Sequence, residues 1–199
     1  MARPRQFSDE EILHATRACI LENGPSVSTN VIAERIGISQ ATLFKRFGTK
    51  EDLFLAALVS TEDPPWMATA DRGPRPGDLR EQLIEIALQI LGFFRERMPC
   101  IMALRFSGIT PERMFARFPV PPPVRGMLAM RSWFATATER GWLQEHDAES
   151  SAMALLGTLH FRGFAHNLSP GAVLERDDQQ WAEAVVDLLL QGLLPREEP

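Results

Sequence analysis

The 199-residue chain has no tyrosine, only two cysteines, and only two lysines, Lys45 and Lys50. Cys19 and Cys100 lie far apart in apolar contexts, which speaks against a disulfide framework and favours buried free thiols in a reducing compartment. No run approaches the ~18 apolar residues that a membrane span requires. The basic start Met1–Gln6 leads into the acidic run Asp9-Glu10-Glu11 instead of an apolar signal core, so a cytoplasmic protein without export is expected. No segment alternates apolar and polar residues over strand length, and no internal repeat is present. The local motifs assemble no Ser/His/acid or Cys/His constellation, phosphate loop or metal cluster. His160 and His166, six apart, do not share a helix face. Asp177-Asp178 reads as a helix cap, and Glu11-x-x-His14 has no second copy. The expectation is a non-enzyme with no cofactor and no metal.

Net charge is −5, which by itself speaks against an anionic partner. Its distribution speaks otherwise. Residues 1–50 hold seven basic side chains (Arg3, Arg5, Arg17, Arg35, Lys45, Arg46, Lys50) against five acids, a balance of +2, while the remainder holds fourteen against twenty-one, or −7. A basic head on an acidic body suits a local anionic partner, although single-sign runs are commonly no more than solvated faces.

The opening is strongly punctuated. Ser8 with Glu11 forms a capping box, with Phe7 and Ile12 as its staple. Ile12, Leu13, Ala15, Cys19 and Ile20 follow at helical spacing until Gly24-Pro25 stops the helix. A short helix from Ser28 carries Val31, Ile32, Ala33 and Ile36 to Gly37. After the turn Gly37-Ile38-Ser39, a third helix carries Leu43 and Phe47 to Gly48. Thr49 to Asp52 caps a fourth, with Leu53, Phe54, Ala57 and Leu58.

Two short helices joined by a glycine turn define a helix-turn-helix, whose second helix enters the DNA major groove. Ile32, Ala33, Ile36, Ile38, Leu43 and Phe47 would lock the pair onto the first helix. Gln40, Ala41, Phe44 and Lys45 would then face outward, with Gln40 able to pair with adenine and Ala41 to meet a thymine methyl. Ser28, Ser39, Thr42 and Thr49 supply hydroxyls or caps beside helix N-termini that bind phosphate readily. Lys50 opposes the dipole of its own helix, and an anion held there would explain it. Arg3 and Arg5 are candidates for a minor-groove arm, or else a tail without a role.

The run from Gly37 to Lys50, Gly-Ile-Ser-Gln-Ala-Thr-Leu-Phe-Lys-Arg-Phe-Gly-Thr-Lys, preceded by Ile32-Ala33, resembles the signature of the tetracycline-repressor (TetR) family. The likeness covers about residues 7–58. It implies a homodimer on a near-palindromic double-stranded DNA operator, usually a repressor, released when a small ligand enters the C-terminal domain. It also implies that the last two long helices form the dimer interface. Where the family usually has a tyrosine whose hydroxyl binds phosphate, this chain has Phe44, and the resemblance leaves Lys45 and Arg46 to compensate by charge.

Residues 61–78, rich in Pro, Gly and Asp, read as a linker between a DNA-binding domain (1–60) and a helical regulatory and dimerisation domain (79–199). The latter should hold a long helix from Asp78 to Pro99, short helices near 99–107 and 110–117, and longer ones to Arg140, over 147–166 and over 177–191. The fold class is all-α, with about nine helices. Met102, Phe106, Met127, Met130 and Phe134 are candidates to line a pocket for an apolar or aromatic ligand, with plain core as the competing reading. Ala152, Met153, Leu156, His160 and Gly163, with Trp181, Val185, Leu188 and Leu189, are the candidate dimer interface. Two other classes stay open: a helical protein-interaction adaptor, which would show no salt-sensitive DNA affinity, and a helical enzyme.

Overall fold

A computed structural model describes residues 7–60, 62–168 and 176–193. Ten helices occur among them, and no strand: α1 Asp9–Asn23, α2 Thr29–Ile36, α3 Gln40–Phe47, α4 Lys50–Leu58, α5 Pro65–Asp71, α6 Leu79–Phe106, α7 Pro111–Phe115, α8 Pro122–Glu139, α9 Ala148–Leu168 and α10 Asp178–Leu193. They form two compact units, one of Met1–Thr61 with Pro99–Arg117, the other of Glu62–Met98 with Phe118–Pro199.

In the first unit the expected punctuation operates. The Ser8–Glu11 box caps α1 in both directions, and Thr49–Asp52 does the same for α4. Ile12, Cys19 and Ile20 of α1 are buried with Ile32, Ala33 and Ile36 of α2, Leu43 of α3, and Leu53, Phe54, Ala57 and Leu58 of α4. Cys100, Ala103, Leu104, Ile109 and Met114 complete this core, which divides the chain differently from a boundary near residue 60. Both cysteines are free and buried.

Pro99 does not end its helix, contrary to the sequence expectation; α6 runs through it to Phe106. An interior proline removes a hydrogen bond and costs about 3 kcal/mol. Burial of Met98, Cys100, Ala103 and Leu104 around it offsets that cost.

The second unit packs Leu83, Ile86, Ile90 and Leu91 of α6 with Met130, Trp133 and Phe134 of α8, Leu155 and Leu159 of α9 and Val186 of α10. Part of the segment read as a linker is helical. Pro65 takes the first position of α5, where a missing N–H costs nothing, and Trp66, Met67 and Ala70 are buried one turn apart. The indole of Trp66 lies on Gly126 of α8, where a Cβ would meet Trp66 Cη2 at 2.6 Å. Gly163 similarly lets α9 approach α6, since a Cβ there would meet Phe94 Cβ at 2.8 Å. Arg80 pairs bidentately with Asp187, joining α6 to α10.

Candidate nucleic-acid interface

The α2–α3 turn is set by backbone geometry. Gly37 takes a left-handed conformation (φ 82°, ψ 33°), with its N–H bonded to Glu34 O at 3.1 Å and that of Ile38 to Ala33 O at 3.0 Å. This Schellman arrangement closes α2 and turns the chain into α3 within three residues. Ser39 Oγ then accepts the Thr42 N–H at 3.1 Å and starts α3. Leu43 is 1% exposed and anchors the helix inward. Ala41, Phe44, Lys45 and Arg46 are exposed on the other side. That exposed side carries one small methyl, one aromatic ring and two cations, groups suited to thymine methyls, sugars and phosphates.

Several predicted contact residues are already engaged. Gln40 is half-buried, and its Nε2 donates to Thr29 Oγ1 at 2.6 Å, so its amide is braced against α2 rather than free. Thr29 is itself buried and gave no sign of this role, because the two side chains meet across a turn, eleven residues apart. Arg46 donates to Phe7 O at 2.7 Å and pairs with Asp9, tying the C-terminal end of α3 to the start of α1. Of the two cations expected to compensate by charge, Arg46 is thus engaged within the chain, whereas Lys45 has no ion-pair partner among the described residues.

Ser28 accepts from Val31 N at 3.3 Å, Thr42 bonds Ser39 Oγ at 2.8 Å, and Thr49 Oγ1 donates to Asp52 at 2.6 Å. These hydroxyls serve the helix starts. Lys50 has a local partner as well, since its Nζ lies 5.0 Å from the centroid of the Phe54 ring. A cation–π contact one turn along offsets part of the dipole opposition that made the residue look misplaced. The i, i+4 spacing of Lys50 and Phe54 was the signal for it. Arg3 and Arg5 lie outside the described residues.

Sequence reading also missed Arg113 on α7. Its guanidinium pairs with Glu51, and with Asp52 Oδ1 at 3.2 Å, reaching the first turn of α4. The Asp52 carboxyl is held below its ordinary range, first by the Thr49 hydroxyl and backbone N–H and then by Arg113.

The candidate ligand residues separate. Met102 and Phe106 fall in the first unit, with Phe106 exposed, and Met127, Met130 and Phe134 fall in the second. Met130 and Phe134 are fully buried in close-packed core. A different space exists in the second unit: a cleft of about 640 Å³ lined by residues 76–80 at the start of α6, with Trp142, Asp187, Leu190 and Gln191. The candidate dimer residues divide too. Ala152, Gly163 and Val185 are buried within the chain, and Leu156, Trp181 and Leu189 pack partly against its core. Met153, His160 and Leu188 are exposed, Leu188 at 72%. His160 lies edge-on to Phe94, with ring centroids 4.9 Å apart.

A capped two-helix turn with an exposed second helix defines the class: helix-turn-helix proteins. Residues 12–57 match the family model described as bacterial regulatory proteins, tetR family. The uncharacterized HTH-type transcriptional regulator YezE of Bacillus subtilis (strain 168) is 30% identical over 87 residues, covering 43% of this chain and 45% of YezE. The HTH-type transcriptional repressor BdcR of Escherichia coli (strain K12) is 29% identical over 111 residues, covering 54% of this chain and 55% of BdcR. The chain thus spans about half the length of the curated relatives it matches. In three dimensions it resembles the transcriptional regulator FadR of Bacillus subtilis, solved with stearoyl-CoA, at TM-score 0.69 and 15% identity, over 93% of this chain and 99% of that one. Residues 12–57 are thus similar to the N-terminal domain of TetR-family regulators, and the helical framework resembles that of a solved protein described as a TetR-family transcriptional regulator. Among the described residues no helix is long and apolar enough to cross a membrane.

Proposed function

We propose that the protein is a sequence-specific, DNA-binding regulator of transcription, acting in the cytoplasm as a homodimeric repressor that a small hydrophobic ligand releases from a palindromic operator. The observation that carries the reading is α3, capped by Ser39, anchored inward by Leu43 and presenting Ala41, Phe44 and Lys45 outward. Repression is supported by the likeness to BdcR, a named repressor. A hydrophobic ligand is supported by the likeness to FadR, solved with stearoyl-CoA. The cleft beside Trp142 is our preferred place for it, since its volume falls within the ~300–1,000 Å³ usual for ligand pockets. Dimerisation through α9 and α10 is supported by the exposed apolar side chains Met153 and Leu188.

The test is fluorescence anisotropy on duplexes selected from a random pool. Affinity falls steeply with salt if α3 meets phosphates. Lys50→Ala weakens every sequence alike and flattens the salt dependence. Gln40→Ala costs about 1–3 kcal/mol on the selected sequence only, when the amide turns from Thr29 to an adenine. Equal effects of both changes on random DNA would refute this division of roles, and absence of any duplex binding in dilute buffer would refute the reading itself.

A further inference from the structure

Lys50, Glu51 and Asp52 are consecutive in the first turn of α4, which begins three residues after α3 ends. With Arg46 committed to Asp9, the cations at this corner without an ion-pair partner among the described residues are Lys45 and Lys50, the latter lying over the Phe54 ring. Glu51 and Asp52, the two residues that follow Lys50 in α4, set two negative charges against them, and at physiological salt such charges are screened over about 8 Å. Left alone, the two carboxylates cancel the two lysines as seen by an approaching phosphate. Arg113 pairs with both carboxylates and reduces their sum by one charge. All three side chains are about half exposed, 45% for Asp52 and 50% for the others, so their charges act on groups in the surrounding solvent. Side chains this exposed fasten helices weakly, which leaves the electrostatic role as the larger one.

We propose that Arg113 is a positioning residue of the DNA interface, which sets binding strength by neutralising the Glu51–Asp52 pair beside Lys50. The proposal rests on the DNA-binding reading above. Arg113 reaches this corner from α7, more than sixty residues along the chain. Any displacement of α7 that withdraws it returns an uncompensated acidic pair to the edge that DNA approaches.

Charge arithmetic supplies the test. The trio carries −1 in the natural protein, −2 in Arg113→Gln, −1 again in Arg113→Gln with Glu51→Gln, and zero in Glu51→Gln alone. Duplex affinity is measured by anisotropy over a range of salt, with circular dichroism melts on each variant. Arg113→Gln is expected to bind about two- to fivefold more weakly, the range of an exposed pair, with a shallower salt dependence. The double variant returns to the natural affinity and slope, and Glu51→Gln alone binds at least as tightly as the natural protein. A double variant as weak as Arg113→Gln would overturn the proposal, because that is what a simple fastener predicts: the bridge is broken in both. Unchanged affinity of Arg113→Gln would overturn it while leaving the DNA-binding reading intact. Failure of the natural protein to bind any duplex would overturn both.

Discussion

Replacing Gly163 by alanine sets two opposed energies against each other in one methyl group. In the interior of α9 the exchange gains helix propensity, about 1 kcal/mol for Gly to Ala. The new Cβ, however, would lie 2.8 Å from Phe94 Cβ and 3.7 Å from the Phe94 carbonyl carbon. Neither atom is the far end of a flexible chain, so relief requires α9 and α6 to separate, and overpacking of this kind costs about 1–3 kcal/mol. Gly92 is the control, since a Cβ there meets nothing within 4 Å and collects the propensity gain alone. The gain cancels between the two variants, so their difference isolates the contact. Thermal melts by circular dichroism at matched concentration should place Gly163→Ala below Gly92→Ala by about 1–3 kcal/mol, roughly 2–12 °C for a chain of this size. If Gly163→Ala melts at or above Gly92→Ala, the close approach of α9 to α6 is not what the glycine serves.

A fragment of residues 1–61 lacks Cys100, Ala103, Leu104, Ile109 and Met114 from its core, and it should give no cooperative melt; a sharp transition in that fragment would contradict the partition. In acid, Asp52, Asp147 and Asp187 carboxyls lie below their ordinary 3.8, held first by the Thr49 hydroxyl, the Ser150 hydroxyl and the Arg80 guanidinium respectively. Their contribution to stability is therefore complete above that value and lost as pH falls through the lower folded values, so a melting temperature that stays flat from pH about 4 to about 2 counts against these bonds. Leu188→Glu, at an exposed position of α10, should shift sedimentation toward the monomer, whereas an undisturbed dimer would move the proposed interface elsewhere.

What the sequence made legible was local chemistry. The Ser8–Glu11 and Thr49–Asp52 boxes and the Gly37 turn lie within three or four residues of their partners, and each formed as read. The α5 helix was missed because its prolines read as breakers, although Pro65 stands at a helix start and Trp66, Met67 and Ala70 carry helical spacing. Pro99 misled in the same way. Its local cost is real, and burial by residues distant in sequence outweighs it. At the candidate interface, exposure of Ala41, Phe44 and Lys45 followed from the helical period. The engagements of Gln40 with Thr29, Arg46 with Asp9, and Arg113 with Glu51 and Asp52 did not, because each joins side chains from different helices and only the folded chain brings them together.

The interleaving of the first unit has a consequence during synthesis. Its opening helices leave the ribosome before Pro99–Arg117 follows them out. At about 5–20 residues per second, the wait from residue 61 to residue 117 lasts roughly 3–11 seconds. Throughout that interval Leu53, Leu58 and their neighbours lack part of their covering, and apolar surface left open in this way favours misassociation until α7 emerges.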